Sequence, residues 1–494
     1  MGEQVILLLL IICATAKVPR TLAQEVHGQQ SPSSSGSEGD WSPVRTVRSL
    51  ETEPDTPWHW DGTTIFAACL ACVCALLANS AGIGGGPFYV PLLTVVLGFD
   101  LKAATGLSHT IVATSAVAST VYGLMQTRPN DAHRPLVDFD LALTFIPALL
   151  LGVSFGVLFN VLFPDWLQTA LLTVLLLFVI NKTVRKGIRQ WQQESKAIKQ
   201  KRQDAEQAHE EEEHDEDEVE KEGVLHEESF HRNPSMKLNH HARSQLQLAE
   251  ETAIHIWHRL PLLQIGEVVV LWAIFLLTQQ LKSRYSNCTW QYFVIFAAQV
   301  VFLLAVTAFS VWYQSKKAAA AASDEMDPEL RVVMLGGRDN EGASGARRNP
   351  YRKLAMVVAV MAFAGFTAGL LGIGGALIFN PVLLQLGVQP QVTASTSVLM
   401  ILFSSSAIAL SFYFQGLLNT SYAQILAPLC FLASLIGVTV VGRIIRRTGR
   451  ASIIVLLLSV LIIIGTVLTA VFGGIRSVNN IKQGGSAGFK PFCG

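Results

Sequence analysis

The chain alternates between apolar runs and short polar joints, and is interrupted twice by longer polar stretches. The runs cover residues 62–80, 86–98, 101–125, 139–163, 166–184, 261–281, 292–314, 353–371, 376–387, 391–414, 421–442 and 451–473. A helix of about 20 apolar residues crosses the roughly 30 Å hydrocarbon core of a bilayer, so most of these runs read as membrane helices. Two are too short: 86–98 and 376–387 would rise only about 18–20 Å. Each follows a glycine cluster, AGIGGGPFYVP from Ala81 to Pro91 and LGIGGALIFNP from Leu371 to Pro381. Glycine and proline are the poorest helix formers, so the pattern predicts a helix break and a half-helix at the same point of two segments. Half-helices are tolerated in a bilayer only against protein or a water-filled cavity.

Composition supports this reading. Of 494 residues, 50% are hydrophobic and 15% charged, with mean hydropathy +0.40; soluble domains carry about 25% charged residues. The expected fold class is an all-α polytopic membrane protein. Net charge is zero, so only its distribution between loops is informative. Basic residues mark the cytosolic side: Lys182, Arg185, Lys186 and Arg189; Arg347, Arg348, Arg352 and Lys353; Arg443, Arg446, Arg447 and Arg450. Two N-glycosylation sequons, at Asn287 and Asn419, mark the opposite side. With Asn419 outside and Arg443 inside, 421–442 runs inward and 391–414 outward. Because 353–371 also starts in the cytosol, the chain must return there through 376–387. The same accounting at the front puts Arg128 and Arg134 in a cytosolic loop.

The expected organisation is a signal peptide (1–23), a disordered extracytosolic segment (24–61), a first transmembrane repeat (62–188), and a cytosolic loop (189–260). A transmembrane hairpin (261–314), a cytosolic linker (315–351), a second repeat (352–473) and an extracytosolic tail (474–494) follow. The loop contains EQAHEEEEHDEDEVEKE, a like-charge block that stays solvated; its flank WQQESKAIKQKRQDAEQ has the composition of a short exposed helix. Cys69, Cys72 and Cys74 lie in an apolar run without His or acidic neighbours, as packing residues do.

The glycine segments belong to an internal repeat. Gly82, Ile83, Gly84, Gly85, Pro91 and Leu93 match Gly372, Ile373, Gly374, Gly375, Pro381 and Leu383 at an offset of 290, and after a one-residue slip Gly98 and Ser108 match Gly387 and Ser397. By the topology above the first copy starts outside and the second inside, so the repeats are inverted. Inverted repeats with broken helices are the architecture of secondary transporters, whose half-helix amino ends present unpaired N–H groups to an anion. The expected binding residues are Gly84, Gly85, Gly86, Pro87, Thr105, Ser108 and His109 in one copy, and Gly374, Gly375, Ala376, Ser395, Thr396 and Ser397 in the other. The amides of 84–88 and 374–378 would meet the charge. Glycines in membrane helices also serve close packing alone, and buried hydroxyls also bond their own helix carbonyls.

GIGGGPFYVPLL followed by KAATGLS, and GIGGALIFNPVLL followed by VTASTS, resemble the sulfite exporter TauE/SafE family of membrane permeases. The resemblance covers roughly 62–188 and 352–473, with Ala376 standing where the first copy has Gly86. It implies a small oxyanion substrate, sulfite or an organosulfonate.

His109, in the middle of a membrane segment, reads either as a proton or anion contact or as a hydrogen-bonded packing histidine; Glu267 reads as structural or interfacial. His209, His214, His226 and His231 in the acidic loop raise a metal-ion transporter as an alternative, but without tetrahedral ligand spacing. A membrane receptor or scaffold signalling through 185–260 is a second alternative. No GxxxxGK[ST] loop or hydrolase constellation is present, so no enzyme activity, cofactor, resident metal or nucleic-acid partner is expected. The expected partners are a small inorganic or organosulfur anion, the bilayer and, as an open point, protons.

Overall fold

Each of the twelve apolar runs forms a helix. The computed structural model describes residues 57–128, 131–219, 262–285, 289–320, 350–448 and 452–475, with 478 and 482. Contacts divide the chain into Met1–Leu50, outside those residues, and Glu51–Gly494, described below. In order, the helices are α1 (Gly62–Ser80), α2 (Gly86–Val95), α3 (Leu101–Met125), α4 (Phe139–Leu162), α5 (Asp165–Val219), α6 (Leu262–Ser283), α7 (Trp290–Ala320), α8 (Pro350–Leu371), α9 (Ala376–Gln385), α10 (Pro390–Phe414), α11 (Thr420–Thr448) and α12 (Ser452–Leu468). A π-helical turn, Thr469–Gly473, continues α12. Among the described residues, eight helices are long and apolar enough to cross a membrane, and the chain is an integral multi-pass membrane protein. α2 and α9 have ten residues each and are the expected half-helices.

Small residues draw the helices together. Along α4 and α8 run two small-residue pairs, Gly152 with Gly156 and Gly365 with Gly369. A Cβ added at Gly152 would fall onto the Ala362 carbonyl oxygen, and one at Gly365 onto the Leu149 carbonyl oxygen. The two backbones therefore touch, as in close-packed membrane helix pairs where dispersion replaces the hydrophobic effect. α11 meets α1 similarly, with Gly437 against the Leu76 backbone.

α3 and α10 pack together in the interior, flanked by α4 and α11. α6 and α7 lie against α4 and turn Leu277, Phe293, Val301, Leu304 and Phe309 outward, an apolar surface suited to lipid.

Several expectations are corrected. The loop after α3 is a two-stranded antiparallel ribbon, β1 (Thr127–Arg128) with β2 (Asp131–Pro135), so the fold is all-α apart from this ribbon. Arg128 is no loose loop charge: its Nη2 lies 3.4 Å from Asp138 Oδ2, with both side chains buried. Asp138 Oδ1 in turn accepts from the Leu141 amide at 3.0 Å and caps α4.

α5 does not end near residue 188 but continues to Val219 through the flank expected as a separate short helix. Its Glu194 carboxylate accepts from the Ser452 amide at 3.1 and 3.3 Å and from the Ser452 hydroxyl, capping α12 from a distance. The rest of the acidic loop, with His226 and His231, lies outside the described residues.

The asparagine of the second sequon has a structural role. Asn419 is 1% exposed and its Oδ1 accepts from the Tyr422 amide at 3.0 Å, capping α11. Asn287 and the signal peptide lie outside the described residues.

Candidate substrate site at two crossing helix breaks

The chain unwinds between α1 and α2 and again between α8 and α9. Gly82, Gly84 and Gly85 have φ of 70°, 84° and 77°, and Gly372 and Gly374 have 74° and 71°, values that glycine adopts without penalty. Gly375 departs from Gly85: its φ of −68° is ordinary helical backbone.

The two unwound segments lie against each other in opposite sense. A Cβ on Gly86 would sit 2.5–2.6 Å from the Ile373 carbonyl group and 2.8 Å from the Gly372 oxygen, while the same atom on Gly374 would point towards Ile83 O at 3.9 Å. Gly86 is therefore a contact between breaks, which is why copy one needs glycine where copy two carries the buried Ala376. Each break also packs on the other repeat: Gly82 against Ala394, and Gly372 against Val90 and Thr105.

Polar side chains tie the breaks across the repeats. The Ser108 hydroxyl donates to Gly372 O at 3.1 Å. In the matching place Ser397 donates to Asn380 Oδ1, and Asn380 Nδ2 donates to Gly82 O at 3.0 Å. His109 is fully buried; Nε2 donates to Ala368 O at 2.9 Å, which leaves Nδ1 to accept from the Ser405 hydroxyl at 3.1 Å. With both nitrogens occupied, His109 has the arrangement of a neutral cross-link between α3, α8 and α10.

The amides of Gly84, Gly85, Gly86, Gly374, Gly375 and Ala376 make no hydrogen bond to the described residues, as the first amides of a helix do not. The donor set is narrower than expected from sequence. Pro87 has no N–H, and the amides of Phe88 and Ile378 are already bonded to Gly85 O and Gly375 O at 3.0 Å.

Of the expected site residues, Gly86 and Gly374 lie at the contact between the breaks, Gly84, Gly85, Pro87, Gly375 and Ala376 flank them in sequence, and Ser108, His109 and Ser397 make the bonds described above. Thr105 lines Gly372 but its hydroxyl donates to Leu101 O within its own helix. Ser395 and Thr396 lie elsewhere: Ser395 packs on Gly123 near the far end of α3, and the Thr396 hydroxyl accepts from the Asp138 amide at 2.9 Å. Glu267 is exposed on α6.

Two residues were missed. Asn380 is a polar residue inside an apolar half-helix, a signal available in the sequence. Tyr89 is fully buried, and its ring lies over Gly85, with its hydroxyl oxygen 3.2 Å from where a Gly85 Cβ would be. That hydroxyl has the Ser115 hydroxyl of α3 as its neighbour, and neither has another hydrogen-bond partner among the described residues. Phe379 occupies the matching place over Gly375, without a hydroxyl.

A family model described as "Sulfite exporter TauE/SafE" matches residues 4–182 and 254–473. The chain belongs to the sulfite exporter TauE/SafE family. Among its relatives in Arabidopsis thaliana, "Sulfite exporter TauE/SafE family protein 2" is 31% identical over 439 residues, 87% of this chain and 88% of that one. "Family protein 1" matches with the same figures. "Family protein 6" is 25% identical over 488 residues, 99% of each chain. No solved structure matches. The TauE/SafE match is wider than the sequence resemblance suggested, since it takes in the α6–α7 hairpin and begins at residue 4. Its members are described as exporters, and this chain is a membrane transporter rather than an enzyme.

The Ser108 bond makes a direct test of the brace. Ser108→Ala leaves the buried Gly372 carbonyl without its donor, and a cost of about 1 kcal/mol is expected. The melting midpoint should fall, and half-saturation for transport should rise about threefold to tenfold.

Proposed function

We propose that this TauE/SafE transporter is a permease for a small oxyanion of the sulfite or organosulfonate class, held where the two helix breaks cross. The observation that carries the reading is the set of unpaired helix-start amides at two breaks that touch each other, with the buried Tyr89 hydroxyl beside Gly85. Backbone N–H groups at helix starts stabilise anions through both hydrogen bonds and the helix dipole. Sulfite export, named in the family's description, supplies a matching substrate.

The breaks run in opposite sense, with each bound to the other repeat, and this supports the inverted arrangement inferred from the basic loops. In such an arrangement, rocking one repeat against the other opens the site to alternate sides. The cross-repeat bonds of Ser108, Asn380 and His109 are the contacts that such a motion must loosen or carry along.

Flux of radiolabelled sulfite into proteoliposomes containing the full chain tests the proposal. Saturable uptake is expected, with competition by organosulfonates. Gly375→Ala is the informative variant, because Gly375 has an ordinary φ and its Cβ would meet Phe379, Ala364 O and Leu149 at only 3.2–3.4 Å. It should fold and reach the membrane while flux drops at least about fivefold, equivalent to about 1 kcal/mol. Absence of saturable sulfite or sulfonate flux would overturn the substrate class, and normal flux in Gly375→Ala would move the site elsewhere.

A further inference from the structure

A cavity of about 330 Å³ lies where the α6–α7 hairpin meets the carboxyl ends of α4 and α10. Its walls include Val161, Gln279, Lys282, Tyr292, Ser411 and Gln415. Lys282 is 7% exposed and Gln279 3%. Ser411 lies six residues beyond the His109 partner Ser405 on α10, so the cavity is about 9 Å along that helix from the brace.

The Lys282 ammonium makes no hydrogen bond or ion pair with the described residues; it lies 5.2 Å from the centre of the Phe296 ring and 5.5 Å from that of Tyr292. Gln279 Nε2 is buried and has no hydrogen-bond partner. Burying an ammonium away from water is costly unless it is paired and hydrogen-bonded. Ring faces offset part of that cost. The carboxyl ends of three helices, α4, α6 and α10, converge here, and their carbonyl dipoles favour retention of the positive charge. Neither supplies the anionic hydrogen-bond acceptor that the ammonium and the orphan amide both lack. The volume equals that of about ten waters at about 30 Å³ each, ample for one oxyanion with part of its hydration.

We propose that this cavity is a second oxyanion site, separate from the helix breaks, in which Lys282 supplies the positive charge and the Gln279 side-chain amide donates alongside it. The ligand chemistry is a sulfur or phosphorus oxyanion, and two sources fit it: a free anion on its way to or from the breaks, or the phosphate of a lipid headgroup. The site needs no assumption about what the breaks carry.

The test is equilibrium binding to the full chain in nanodiscs, independent of flux. Radiolabelled sulfite is titrated in phosphatidylcholine discs, in a Tyr89→Phe background that weakens the breaks, and lipid retention is read by native mass spectrometry after exchange from phosphatidylglycerol. Lys282→Met should weaken binding of the occupant by at least about tenfold, Gln279→Leu should do so by a smaller factor, and Lys282→Arg should retain most of it. Loss of sulfite binding identifies the free anion as occupant. Unchanged sulfite binding with loss of retained phosphatidylglycerol identifies the headgroup. If Lys282→Met does not fold, Gln279→Leu carries the comparison alone. The proposal is overturned if the folded variants bind sulfite and retain phosphatidylglycerol as their parent does, or if the parent does neither.

Discussion

Gly365→Val is expected to yield no folded protein. The new Cβ would be driven onto the Leu149 carbonyl oxygen, and the atom in its way is backbone rather than the movable end of a side chain. Relief requires α8 to move off α4 along the whole crossing, which also parts Gly369 from Val157 and Gly152 from Ala362. Overpacking of ordinary cores costs about 1–3 kcal/mol, and a backbone-to-backbone seam has less freedom to yield. The measurement is fluorescence-detected size exclusion of the tagged chain in mild detergent, where the monodisperse peak should vanish. The same substitution at Gly266 on α6, where an added Cβ meets nothing within 4 Å, should leave the peak intact. A folded Gly365→Val protein would show that the seam is looser than its geometry.

Tyr89→Phe is expected to have the opposite profile, with full folding and strongly impaired transport. The hydroxyl it removes is fully buried with the Ser115 hydroxyl as its neighbour, so at most one neutral hydrogen bond of about 1 kcal/mol is lost, and the melting midpoint should change little. Hydrogen bonds to charged groups contribute about 1.5–3 kcal/mol, so half-saturation for sulfite should rise about tenfold to hundredfold. Unchanged transport kinetics would place the anion away from Gly85.

The half-helices were legible from length alone, because 12 or 13 apolar residues cannot span a bilayer and the glycine clusters fixed where each break fell. The pairing of Ser108 and Ser397 was legible from the repeat. What was hidden is orientation within a helix. Ser395, Thr396 and Ser397 are consecutive on α10, and successive residues diverge by about 100°, so they cannot share one site. Only Ser397 reaches Asn380, while Ser395 faces Gly123 and Thr396 meets Asp138. Apolar periodicity could not choose among them, because α10 is enclosed nearly all round. The cap at Asn419 was hidden for a different reason: the asparagine of a sequon is equally a helix-capping residue, and its bond to the Tyr422 amide shows only in the fold. The helical flank after α5 was legible from composition, but its continuity with the apolar run was not, because no apolar stripe joins the two.

The polarity of α3 has a consequence for biogenesis. α3 is more polar than the candidate spans; its Thr105, Thr110 and Thr114 hydroxyls bond carbonyls of their own helix, but Ser108 and His109 bond Gly372, Ser405 and Ala368, and Ser119 meets Ser434. Those partners are made roughly 260–320 residues later, which at about 5–20 residues per second is a delay of about 13–64 s. During that interval the Ser108 and His109 side chains lack their partners, and the first half is expected to complete its packing only when the second arrives. Truncation anywhere before α10 should thus strand the first half as a quality-control substrate rather than produce a stable half-transporter.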